Sequence, residues 1–125
     1  MAMALDQMPR FEVVLIDSKE YFEYTPAIIS SMVNPSMSDK VKIPYSTIVK
    51  NTHLHIGCVD QVTKEYLVAG NHKFPFNYAI FATGSSYTSH FKGYNFSTSY
   101  RTKRINLEFK ELEAAEKILV IGGGN

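Results

Sequence analysis

From Phe11 to Asp17 the chain reads Phe-Glu-Val-Val-Leu-Ile-Asp, a nearly continuous apolar run that stops at an acidic residue. Continuous rather than alternating apolarity is the mark of a strand buried on both faces of a parallel sheet, so this segment is expected to be one. Two later runs read the same way. Asn77-Tyr78-Ala79-Ile80-Phe81-Ala82-Thr83-Gly84 ends in a small-residue turn, and Lys117-Ile118-Leu119-Val120-Ile121 leads into Gly122-Gly123-Gly124. Between the first run and these two, residues 53–62, 65–69 and 72–76 are three short strand-like runs. The last two are joined by Gly70-Asn71, a favoured hairpin pair, which predicts an antiparallel meander.

Helical signals are fewer. Ala2 to Gln7 resembles the last turns of a helix entering the first strand. After the aromatic-rich connection Tyr21-Phe22-Glu23-Tyr24-Thr25-Pro26, Pro26 is placed to open a short helix, which Asn34-Pro35-Ser36 ends. Ile43-Pro44-Tyr45 suggests a docking loop, and Ser46 to Lys50 one more helical turn. Between Ser99 and Glu116, Ile105, Phe109 and Leu112 fall at i, i+4 and i+7, one stripe of an amphipathic helix. No internal repeat or low-complexity tract interrupts the pattern.

Composition narrows the function classes. At 125 residues the chain has the length of one ordinary globular domain, and a formal net charge of +1 argues against a nucleic-acid partner held by phosphate neutralisation. Its eight tyrosines and eight phenylalanines are not interleaved with a basic stripe, so they read as packing residues. Lys103 and Arg104 read as the solvated face of a helix. The single cysteine, Cys58, excludes an internal disulfide framework. No apolar run approaches the roughly 18 to 20 residues of a membrane span. The start Met1-Ala2-Met3-Ala4-Leu5 lacks the basic flank of a secretory signal and a myristoyl acceptor. These features suit an intracellular protein, cytoplasmic or mitochondrial, that is not secreted, and Asn95-Phe96-Ser97 is then a chance glycosylation match.

Side-chain chemistry is sparse. His53 and His55 share one face of a strand, which is compatible with metal ligation, but no third ligand follows at a familiar spacing. A solvent-facing pair is the better reading, and no metal site is expected. His72 and His90 lie in expected turns, and no Ser/His/Asp arrangement is recognisable from spacing. The glycine run is more informative. In a G-x-G-x-x-G unit the first glycine makes a tight strand-to-helix turn and the second lets the backbone approach a pyrophosphate; Gly122 and Gly124 can fill those places.

A strand ending in Asp17, a meander, a strand ending in Ala82-Thr83-Gly84, and a strand opening into Gly122-Gly123-Gly124 stand in that order. Together they resemble the two-dinucleotide-fold flavoproteins of the pyridine nucleotide-disulfide oxidoreductase superfamily. Within it, Tyr21-Phe22-Glu23-Tyr24-Thr25-Pro26 looks most like the type II NADH dehydrogenases and the apoptosis-inducing-factor-like, ferroptosis-suppressor-type NAD(P)H:quinone reductases. The resemblance implies that Asp17 accepts hydrogen bonds from the adenosine ribose of FAD. It also implies that Val59 offers a backbone edge to the adenine, and that Thr25 and Pro26 lie near the isoalloxazine. Ala82, Thr83 and Gly84 would let the chain pass close to FAD, and Gly122 and Gly124 would begin an NAD(P)H site. No catalytic side chain is implied, because hydride passes between cofactors.

Two departures qualify the resemblance. The C-x-x-x-x-C pair of the disulfide reductases is absent, which favours the branch that passes electrons straight to a diffusible quinone-type acceptor. The family's own FAD fingerprint, strand then G-x-G-x-x-G then helix, is not found ahead of Phe11. The expected fold is therefore α/β: a partial Rossmann-like FAD/NAD(P)-binding domain with an antiparallel β-meander, lacking its first β-strand and glycine-rich loop. Residues 1–116 would be the partial FAD-binding domain, and 117–125 the first strand and glycine turn of a truncated NAD(P)H-binding domain.

The implied function is that of a fragment of an FAD-dependent NAD(P)H:quinone oxidoreductase, inactive alone, with room for peripheral membrane association of the full-length protein. The rival expectation is a non-catalytic, truncated nucleotide- or protein-binding regulatory module. A further expectation is that Lys117 to Asn125 slides into the vacant central position beside Val13 to Ile16.

Overall fold

In the computed structural model, residues 1–85 and 97–122 are described, and they form a mixed α/β chain with small sheets. The first apolar run folds as expected, though shorter: β1 (Val14–Asp17) pairs in parallel with β4 (His53–Ile56), Val14 opposite His53 and Asp17 opposite Ile56. Backbone bonds from His53 N–H to Val13 C=O (2.8 Å) and from Gly57 N–H to Asp17 C=O (2.8 Å) extend the ladder at both ends. Gly57-Cys58 thus separates β4 from the meander, dividing what reads in sequence as a single run.

Parallel strands need a long crossover, and here it carries its own small architecture. β2 (Tyr21–Glu23) and β3 (Lys42–Pro44) pair antiparallel, with Phe22 opposite Ile43. Neither strand is anticipated by sequence pattern, because three residues, one run ending in proline, are too few to display a period of two. Between them, a 3-10 turn at Thr25–Ala27 with Pro26 in its first positions leads into α2 (Ile28–Val33). Asn34 Oδ1 accepts from the Ser36 N–H and the Ser36 hydroxyl, restarting the chain as the turn Pro35–Met37 and α3 (Ser38–Val41). α4 (Tyr45–Ile48) is the single expected turn.

The core lies in this crossover rather than in the parallel pair. Ile28, Val41 and Ile105 form the buried cluster, with Tyr21 and Met32 also buried. Ile105 comes from α5 (Thr98–Ala114), which Ser97 Oγ caps by accepting from the Tyr100 N–H at 3.4 Å. The expected stripe is real: Ile105 is fully buried, and Phe109 and Leu112 are half-buried. One turn earlier the stripe continues with a charge. Arg101 Nε meets Glu23 Oε2 at 2.8 Å, both side chains 1% exposed. Beside them Lys42 Nζ donates to Thr102 Oγ1 and the Thr98 carbonyl and lies 3.9 Å from Asp39. Burial lowers the Lys42 pKa, and Asp39 opposes that shift. Glu20 accepts from the Thr98 N–H and hydroxyl, so the start of α5 is pinned to the β2–β3 pair by paired polar groups.

The antiparallel meander forms, but with only the second half of its expected first strand: β5 (Val59–Val62), β6 (Tyr66–Ala69) and β7 (His72–Pro75), in sequence order. Gly70, at φ +58°, makes the hairpin loop with Asn71, a backbone region that favours glycine. Between Val59 and Gln61 the register shifts, and Asp60 at that irregularity accepts the Gly70 N–H at 2.7 Å. At the other end of the chain, α1 (Ala2–Asp6) is held by Asp6, whose carboxylate accepts from the N–H groups of Lys50, Asn51 and Thr52 and from the Thr52 hydroxyl. Chiefly through the hydroxyl, these bonds lower its pKa to about 2.

Three expectations are corrected. Tyr78 to Phe81 is not a buried strand: Tyr78 is 88% and Phe81 65% exposed, and no ladder forms through 77–84. Ile118 to Ile121 likewise forms no strand, with Leu119 83% and Ile121 88% exposed. This segment therefore does not occupy a position beside β1, and the sliding expectation fails. The physical reason is common to both. A doubly buried strand needs hydrogen-bonding neighbours and apolar cover, and the described residues supply neither at these positions. Among the described residues no helix is long and apolar enough to cross a membrane.

Candidate functional site

Asp17 and Ile56 close β1 and β4 opposite one another, so both parallel strands end on the same side. Carboxyl ends of parallel strands are where open α/β sheets bind ligands, because the chain turns away there and exposes backbone and side-chain groups. The Gly57 N–H, bonded to the Asp17 carbonyl, holds the start of the β4–β5 link against this end. The link is Gly57-Cys58, and the next residue is Val59. Val59 is thus tied by the short Gly57-Cys58 link to the end of β1 that carries Asp17, although the two residues belong to different sheets.

The Asp17 carboxylate is oriented from two sides. Oδ1 accepts from the Lys19 N–H at 2.9 Å, and Oδ2 accepts from the Tyr45 hydroxyl at 2.6 Å. Burial, and then the neighbouring Asp17, raise the pKa of Tyr45 well above that of an ordinary phenol, so it stays a neutral donor. Tyr45 is the site residue that sequence reasoning missed. Its only signal was a place in the Ile43-Pro44-Tyr45 loop, and the partner lies 28 positions away.

Val59 is 43% exposed and pairs with Ala69 on its inner side. Since β5 is an edge of its sheet, its outer backbone groups face no strand among the described residues. Thr25 and Pro26 lie elsewhere, in the turn that opens α2, Thr25 half-buried and Pro26 exposed. No hydrogen bond among the described residues joins them to Asp17 or Val59. Ala82, Thr83 and Gly84 are exposed outside any ladder; Gly84 has φ +70°, the left-handed backbone that glycine favours. Gly122, at φ +84°, is also exposed, with open space where a Cβ would stand. Gly123 and Gly124 lie outside the described residues.

The remaining concavities are shallow. Depressions of about 280 and 300 Å³ are lined respectively by Lys103, Asn106, Leu107 and Lys110, and by Asp6 to Pro9, Phe11 and Asn51. Neither includes a residue of the Asp17–Val59 edge.

The chain is weakly homologous to proteins of the apoptosis-inducing-factor kind. It is 30% identical over 123 residues to apoptosis-inducing factor homolog A of Dictyostelium discoideum, covering 92% of this chain and 29% of that protein. To homolog B of the same organism it is 25% identical over 118 residues, 92% and 30% of the two lengths. To ferroptosis suppressor protein 1 of Mus musculus it is 29% identical over 118 residues, 90% and 31% of the two lengths. The chain therefore spans less than a third of these relatives. No protein family's sequence profile matches it, and no solved structure does.

Proposed function

We propose that the chain is the adenosine-binding segment of an FAD-dependent NAD(P)H oxidoreductase that hands electrons to a quinone-type acceptor, and that these residues alone do not sustain turnover. The observation that carries this is the Gly57 N–H bonded to the Asp17 carbonyl at the ends of the parallel strands, with Val59 two residues on at the start of the edge strand β5. The alignment with apoptosis-inducing-factor homologues and ferroptosis suppressor protein 1, over nearly the whole chain, supports it.

The residues fit an adenosine group. An ionised carboxylate offers about four acceptor positions, and Lys19 and Tyr45 use one on each oxygen of Asp17. Each oxygen keeps one for a ribose hydroxyl. The outer edge of β5 has backbone groups to give the adenine at Val59. Thr25 and Pro26 would border the isoalloxazine, Ala82-Thr83-Gly84 would pass close beneath the cofactor, and Gly122 with Gly124 would open the NAD(P)H turn. A bound flavin supplies the hydride and electron chemistry; these residues bind and orient it. The one cysteine, Cys58, is exposed and has no cysteine partner, in keeping with transfer to a diffusible acceptor rather than through a dithiol. Peripheral membrane association and a cytoplasmic or mitochondrial location accompany this reading.

The exposure of Ala82 to Gly84 and of Gly122 favours a second reading, a non-catalytic module that binds a nucleotide or a protein through the same edge. Titration with AMP and with FAD, followed through the backbone amide resonances, tests the flavoenzyme reading. The flavoenzyme reading expects shifts at Asp17, Gly57 and Val59 with either ligand, abolished by Asp17→Ala. Shifts indifferent to Asp17→Ala, or none at that edge, would overturn it.

A further inference from the structure

We propose that His55 and His72 form a two-imidazole site for a divalent transition-metal ion such as Zn²⁺, Ni²⁺ or Cu²⁺, tying the parallel pair to the meander. His55 stands on β4 and His72 begins β7, yet their ring centroids are 4.9 Å apart with the planes inclined by 60°. With a metal–nitrogen bond of about 2.0–2.1 Å, a ring centre lies about 3.2 Å from the ion, so two imidazoles on one tetrahedral centre stand about 5 Å apart. The observed centroid spacing of 4.9 Å matches this.

Four features keep the pair available. Phe74 buttresses it, its ring 4.9 Å from that of His55 at a near-perpendicular 62° and stacked on His72 at 6.2 Å. Beyond these ring contacts neither imidazole has a hydrogen bond or ion pair among the described residues, so the ring nitrogens have no competing partner there. Gly57 contributes by lacking a side chain, since a Cβ there would come within 3.1 Å of His55 Nε2. Competing charge is directed elsewhere: Lys73 alternates to the other face of β7, its ammonium 3.6 Å from the centroid of Tyr66.

His53 shares the face of His55, its ring 6.5 Å from Phe74, and widens the imidazole surface. It is not a third ligand, because among the described residues no three His, Cys, Asp or Glu side chains are grouped to hold an ion. Water therefore completes the coordination. Imidazole nitrogen selects Zn²⁺, Cu²⁺ or Ni²⁺ over Mg²⁺ or Ca²⁺.

The test is calorimetric titration of the whole chain with ZnCl₂, with MgCl₂ as control, at pH 7.5 and 5.5. One Zn²⁺ per chain is expected at pH 7.5, with weaker binding at pH 5.5 because metal binding to imidazole competes with protons. His55→Ala and His72→Ala should each weaken binding by more than about tenfold, and His53→Ala by less than about threefold. Should a variant misfold, the wild-type imidazole resonances decide, since Zn²⁺ should shift those of His55 and His72 first. Absence of stoichiometric binding, binding that survives removal of both histidines, or shifts confined to other residues would overturn the site.

Discussion

Val13-Val14-Leu15-Ile16 and Ile118-Leu119-Val120-Ile121 are almost the same tetrapeptide in character, each a run of four aliphatic residues. One is part of a ladder with Leu15 and Ile16 half-buried; the other is extended in solvent, 60% to 88% exposed. The difference lies in what each meets. β4 offers Val14 to Asp17 a parallel edge in register, extended at both ends by a backbone bond, whereas Ile118 to Ile121 pairs with no described strand. An apolar run thus states a capacity for burial, and a neighbouring edge decides whether it is used. The same contrast explains why the buried cluster lies among α2, α3 and α5 instead of around the sheet.

Variants can break this contrast, and the largest effect belongs to the charge pair that locks α5 to β2. Glu23→Gln or Arg101→Met breaks this buried ion pair and should cost about 3–5 kcal/mol in urea unfolding. The double variant Glu23→Leu/Arg101→Leu should be less damaging than either single change, because the remaining charge goes too. Next, Ile105→Ala, at a fully buried position, should cost about 2–5 kcal/mol, whereas Leu119→Ser should fall within about 0.5 kcal/mol of the parent. Equal costs at the two sites would break the distinction drawn here.

A smaller change sharpens the meander. Gly70→Ala has open space for its methyl group, so only the left-handed backbone opposes it, at about 1–2 kcal/mol. The smallest effect concerns the Asp6 clamp, visible in an acid titration of stability. Its folded pKa of about 2 lies below the ordinary aspartate value of 3.8, so its contribution is fully present above the unfolded value and is lost as pH falls through 2. Asp6→Asn should remove that component between about pH 4 and 2 while leaving stability at neutral pH only modestly lower. A wild-type profile that stays flat across that window would dismiss the clamp.

Much of this architecture was legible in the residues. The run ending in Asp17, the Gly70-Asn71 hairpin, the proline before α2 and the Ile105 stripe each carry a local signal, and each has its place in the structure. What stayed hidden depends on distant partners. Arg101 on an apolar stripe looks like a solvated charge until Glu23 is brought to it, and Tyr45 looks like loop until its hydroxyl finds Asp17. His55 and His72 read as separate surface residues until β4 and β7 set their rings together. Of the candidate nucleotide edge, Asp17 and Val59 could be named singly from the resemblance, but their meeting through Gly57 is a property of the fold.

Amide hydrogen exchange, read residue by residue in the whole chain, tests the central contrast most directly. Protection should be clear at Ile16, Gly57 and Ile105, with exchange near the unstructured rate from Ile118 to Ile121 and from Tyr78 to Phe81. Protection of Ile118 to Ile121 equal to that of β1 would contradict the account, because it would mean that this run has found an edge of its own.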